Sequence, residues 1–96
     1  MVKMTDINKT LSEREENYGS FASQAHKSQM IKESMCVAGW DDLRPIQKEA
    51  LEMIAHKIAR ILNGKGANYA DNWHDISGYA TLVENDLNLT NNKESK

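Results

Sequence analysis

The stretch RPIQKEALEMIAHKIARILNGKG, residues 44–66, constrains the fold more than any other part of the chain. Pro45 suits the first turn of a helix, where its missing N–H is not needed. Asp41 and Asp42 stand just before it as N-cap candidates, and Gly64 and Gly66 flank Lys65 at the far end. On a wheel of about 100° per residue, Gln47, Ala50, Leu51, Ile54, Ile58, Ile61 and Leu62 share one broad sector, with Lys57 inside its edge. The spacing predicts a helix over 43–63 with that sector turned to the core. Glu49, Met53, His56 and Arg60 make a second stripe, with Glu52 displaced by about 60° from Glu49.

Three further helices are expected around it. MTDINKTLSEREENYGSF opens with a short one, capped by Thr5 or Asp6, with Ile7 and Leu11 on one face and a break at NYGS. FASQAHKSQMIKESMCVAG offers a weaker stripe of Phe21, Ala25, Met30 or Gln29, and Met35, stopping at Gly39. A fourth should run from Ala70 to Leu87, with Trp73, Ile76, Ala80, Val83 and Leu87 inward and Asp71, Asp75 and Tyr79 climbing the flank at four-residue steps. One proline and few β-branched clusters leave little for strands, so the fold class reads as all-α: a small four-helix, bundle-like domain over 1–88 and a frayed polar tail over 89–96.

Charge and size narrow the function. Twelve basic and fourteen acidic residues give no basic footprint for duplex nucleic acid. No apolar run reaches the roughly 18 residues of a membrane span, no signal peptide is visible, and one cysteine, Cys36, cannot form an internal disulfide, so the expected setting is cytoplasmic. A chain of 96 residues buries only about 60 to 65% of its unfolded surface, which favours a homo-oligomer.

If the third and fourth helices pair antiparallel, within a chain or across a dimer, Glu49 and Glu52 can meet Asp71 and Asp75. Four converging carboxylates require a cation, and hard oxygen ligands suit Mg²⁺ or Mn²⁺. Lys57 and Arg60 could then meet phosphate oxygens. Each residue also has a plainer role. Asp71 can cap a helix, Asp75 can sit at its positive N-terminus, and Glu49 and Glu52 can form surface pairs. Lys57 can snorkel along the apolar face, and Cys36 reads as a small buried apolar residue. Trp40 and Trp73 read as core or interface anchors, and His26, His56 and His74 lack zinc spacing with Cys36.

The blocks SEREENYGSF, ALEMIAHKIARILNG and DNWHDISGYATL resemble a family of small phage and prophage proteins of unknown function. Its members share E-R-x-x-x-[YH]-G-[DS]-F, K-I-x-R-I-L and D-x-W-x-D-I-x-G-Y-A motifs, and the similarity covers residues 12–84. More remotely, the layout is similar to the all-α MazG-like nucleoside triphosphate pyrophosphatases, which hold Mg²⁺ on a triphosphate between E-E-x-x-E and E-x-x-D helices. The resemblance implies a phage protein acting in a bacterial host's cytoplasm on a nucleotide. Glu49, Glu52, Asp71 and Asp75 would be its metal-binding and catalytic carboxylates, Lys57, Arg60 and Tyr79 its nucleotide contacts, and Tyr18 with Gly19 a turn closing over the base or sugar. Lys48 stands where a preceding acid is expected, and Asp71 and Asp75 give D-x-x-x-D rather than E-x-x-D. That departure opens a second implication, an anti-defence protein that sequesters a nucleotide signal without turnover. A third, from another class, is a protein that blocks a host factor through Trp40, Met30, Met35 or its acidic surface.

Overall fold

A computed structural model describes residues 4–94, with side chains apart from those of 4, 5, 17, 18 and 92–94. The described residues are all-helical: α1 (Met4–Tyr18), α2 (Phe21–Met35), α3 (Pro45–Ile61) and α4 (Ala70–Glu94), with 3-10 turns at Trp40–Asp42 and Gly66–Asn68. No strand occurs among them.

The boundaries follow local chemistry. The Gly19 N–H bonds to Glu15 O at 2.8 Å with φ of 78°, a left-handed stop that closes α1. Ser20 then caps α2, its hydroxyl accepting from Ser23 N at 3.1 Å. α2 ends at Cys36 rather than at Gly39, which instead opens the Trp40–Asp42 turn with φ of 104°. The N-cap of α3 is Arg44, not Asp41 or Asp42. Proline holds the residue before it extended (φ −77°, ψ 159°), so the helix begins at Pro45 itself. Arg44 N donates to Gln47 Oε1 at 2.9 Å, closing that end. At the other end of the chain the helix expected to stop at Leu87 runs on through Glu94. Asp86 accepts an ion pair from Arg44, which ties this helix to the start of α3, and Leu87 and Thr90 are half-buried.

α3 is the centre of the fold, packed against α2 on one side and α4 on the other, while α1 makes no extensive contact with any helix. The expected four-helix packing is therefore three packed helices with a fourth projecting. This central position also corrects the single apolar sector read for α3. Ala55 and Ala59, 1% and 0% exposed, are its most buried residues, whereas Leu51 and Leu62 are exposed. A helix sandwiched between two others buries two narrow strips instead of one broad one. Lys57 marks the α4 side by pairing with Asp75. Ala55 and Ala59 lie about 200° around the helix from Lys57, where their small side chains suit close approach of a neighbour.

α4 is turned from the expected orientation. Trp73 is exposed and donates its Nε1 to Ala67 O at 3.1 Å, and Ala80 is exposed too, while Asn72 is 2% exposed and bonds Gly66 O at 3.0 Å. Ile76, Val83 and Leu87 are half-buried as expected. The Asn72 amide turns inward to share the Gly66 carbonyl with Tyr69 N, which donates to it at 3.2 Å. Phe21 and Met30 face outward from α2, and Cys36 is an exposed free thiol rather than a buried one.

Candidate functional site

The four carboxylates expected to share a cation do not gather within the chain. Glu49 and Asp71 are exposed, Glu52 and Asp75 half-buried, and no group of three or more His, Cys, Asp or Glu side chains among the described residues is placed to hold a metal ion. Asp75 instead accepts from Lys57 Nζ at 2.9 Å. That hydrogen bond, with the charges of Lys57, His74 and Arg60 behind it, lowers the Asp75 carboxyl below its ordinary value against a smaller opposing effect of burial. Asp75 is thus engaged by a lysine, and the four carboxylates do not form a shared cage within one chain. The pairing of Lys57 with Asp75 also turns this lysine toward α4, away from the stripe of Arg60.

A different constellation forms where the α1–α2 junction meets α3. Leu11, Arg14, Glu15, Gly19, Phe21, Gln24, His56 and Arg60 line a cleft of about 440 Å³. Arg14 and Glu15 come from the last turns of α1, Phe21 and Gln24 from the first turn of α2, and His56 and Arg60 from one face of α3, four residues apart. Residues 11–24 therefore supply one wall of the concavity, and His56 and Arg60 of α3 the other.

The junction is held by Asn63, 2% exposed, at the C-terminal end of α3. Its Nδ2 donates to Ser20 O at 2.9 Å, and its Oδ1 accepts from Lys27 Nζ at 2.7 Å. Lys27 is anchored in turn on Ser23 Oγ at 3.0 Å. Gly19 is required here twice over, by its positive φ and because a Cβ would lie 2.9 Å from Asn63 Nδ2. These contacts hold the α1–α2 turn against α3.

The cleft is electropositive on its α3 side. Burial first, then the nearby charges of Arg60, Lys57 and Lys32, hold the His56 imidazole below its usual 6.5, so it is neutral at pH 7 in a cationic surrounding. Glu15 adds one negative charge at the opposite wall, and Leu11 and Phe21, 58% and 78% exposed, supply apolar surface at the mouth. Such a mixture can receive a ligand with an anionic group and a flat apolar part: guanidinium for the first, the phenyl ring for the second.

Of the residues read from sequence as nucleotide contacts, Gly19 and Arg60 line this cleft. Tyr79 lies apart, in a shallow groove on α4 with His74, Asp75, Gly78 and Leu82, and the Tyr18 side chain lies outside the described residues. Sequence reading missed Arg14, Phe21, Gln24 and His56 as members of one site. The available signal was the pairing of two motif blocks, each with an arginine beside a glycine turn or a helix end. No family model, no curated protein and no solved structure matches this chain.

Proposed function

We propose that this chain binds a nucleotide or a closely related phosphorylated aromatic molecule in the cleft between the α1–α2 junction and α3, without hydrolysing it. The observation that carries the reading is the convergence of Arg14, His56 and Arg60 with Phe21 around about 440 Å³, a volume within the roughly 300–1,000 Å³ of small-molecule sites. Arginine contacts phosphate oxygens in bidentate fashion, and a second, near-neutral imidazole adds a donor that charges as an anion approaches. Phe21 offers a face on which a base can stack. The pairing of Asp75 with Lys57, which occupies a carboxylate read as a metal ligand, favours sequestration over metal-dependent turnover, the second of the roles set out from the sequence.

The test is thermal unfolding with a panel of nucleoside mono-, di- and triphosphates and cyclic nucleotides, with and without Mg²⁺, alongside a pyrophosphate-release assay. A ligand at 100 times its Kd stabilises by about 2.7 kcal/mol, which for a chain this size moves Tm by roughly 10–20 °C. The expected result is a shift that survives removal of Mg²⁺, no released pyrophosphate, and loss of the shift in Arg14→Ala. Pyrophosphate release would establish the hydrolase instead. No shift with any nucleotide would remove the ligand and leave the reading of a protein that blocks a host factor.

A further inference from the structure

We infer that two copies of this chain associate through the outer face of α4, with Gly78, Leu82 and Leu89 at the contact. The chain by itself is poorly closed. Its radius of gyration is 17.1 Å, where a compact domain of this length has about 12.5 Å. Its accessible surface is 7254 Å², about 1,700 Å² above the roughly 5,600 Å² of an ordinary folded monomer of this mass. Two copies together carry about 3,300 Å² of excess, inside the roughly 2,000–5,000 Å² that obligate homodimers bury. The interior does not compensate, since no large side chain among the described residues is fully buried.

Several faces expose apolar residues, and α4 is singled out by its glycine. Gly78 sits in the middle of a 25-residue helix. Its φ is not positive, and a Cβ built on it meets nothing within 4 Å. Neither backbone conformation nor packing inside the chain calls for glycine there, although glycine weakens a helix interior relative to alanine. Close approach of another backbone or side chain from outside accounts for it. Leu82 and Leu89 follow Gly78 by four and eleven residues and are 59% and 65% exposed. That is the spacing of a seam between two paired helices. His74, Asp75, Gly78, Tyr79 and Leu82 already outline a shallow groove on this face.

A two-fold contact presents the same patch from both copies. With the two α4 helices antiparallel, Leu82 of each copy seats over the Gly78 notch of the other, and each chain covers apolar surface that it leaves exposed alone. The seam shares no residue with the Arg14–His56–Arg60 cleft, so it stands or falls apart from the ligand reading.

Sedimentation velocity on the full chain, from low micromolar to submillimolar concentration, tests this. The expected species has twice the 10.9 kDa chain mass. Leu82→Glu and Gly78→Leu should each weaken self-association at least tenfold with helical circular dichroism retained, because in the single chain one position faces solvent and the other open space. Should either variant lose its helicity, Leu89→Lys supplies the same comparison. A wild-type chain that stays at 10.9 kDa throughout, or a dimer that tolerates these substitutions unchanged, overturns the proposal.

Discussion

Replacing Asn63 with alanine removes the side chain that fastens the α1–α2 junction to α3. Among the hydrogen bonds lost are Nδ2 to Ser20 O at 2.9 Å, and Oδ1 from Lys27 Nζ at 2.7 Å. The first is a neutral bond whose orphaned carbonyl is half-buried, worth about 1 kcal/mol. The second has a charged donor, for which about 1.5–3 kcal/mol is typical. Lys27 keeps Ser23 Oγ at 3.0 Å and can recover water, so the lower end applies and the total is about 2–3 kcal/mol. At roughly 2.1 cal/mol/K per residue, 96 residues unfold with an entropy near 0.2 kcal/mol/K, so the melting temperature should fall by about 10–15 °C. The assay is thermal unfolding followed by circular dichroism at one fixed protein concentration, since any self-association makes Tm concentration-dependent. Asn63→Asp keeps the acceptor for Lys27 while losing the donor to Ser20 O, and should fall between wild type and Asn63→Ala. A loss under about 4 °C in Asn63→Ala, or an aspartate variant no better than the alanine one, would refute the assignment of Asn63 as the fastening.

Gly66→Ala should be among the most damaging single-methyl changes in the chain, because its Cβ would lie 1.7 Å from Arg60 O, a backbone atom that cannot swing aside. Overpacking of this kind costs about 3 kcal/mol or more, read as a Tm loss above about 12 °C or as failure to accumulate folded protein. The ion pair of Lys57 and Asp75 is lopsided, with side chains 12% and 41% exposed. Asp75→Ala strands a mostly buried ammonium and should lower Tm more than Lys57→Met, which leaves an aspartate able to face water. The reverse order in parallel melts would contradict the geometry. His56 imposes a pH dependence whose sign follows from its lowered folded value. Below 6.5 the unfolded chain takes up the proton before the folded chain does, so stability is complete above 6.5 and is lost as pH falls through it. Urea midpoints at pH 7.5 and 5.0 should therefore differ more in wild type than in His56→Gln. An anion seated among Arg14, His56 and Arg60 would raise that imidazole again, so phosphate-bearing ligands should bind more tightly as pH drops below 6.5, with proton uptake measurable by calorimetry in buffers of different ionisation enthalpy.

The helices themselves were legible because their signals are local. Pro45, the glycines after Asn63 and the four-residue recurrence of apolar side chains act through the backbone of neighbouring residues and need no partner. The inward faces were not legible to the same degree. The apolar sector read for α3 left out Ala55 and Ala59 and took in Leu51 and Leu62, because the pattern of one helix does not show that both α2 and α4 pack on it, and burial ranks the two pairs the other way. In α4 a polar residue, Asn72, takes the innermost place, where its amide adds a second hydrogen bond to the Gly66 carbonyl, and Trp73 is left outside. Hydrophobicity ranks these two the other way round.

Acidic residues on two helices were visible from the order of residues alone, yet their meeting was not, since a carboxylate four residues from the next fixes a face and says nothing of what stands opposite. Tertiary packing gave Asp75 to Lys57 and assembled instead Arg14 with His56 and Arg60, groups more than 40 positions apart in the chain. By itself the sequence determined an all-helical chain with those helices in that order, since backbone propensity and capping act within a few residues. Which side chains share a cleft was decided only when the Gly19 turn closed on Asn63, a contact between segments that no local rule relates.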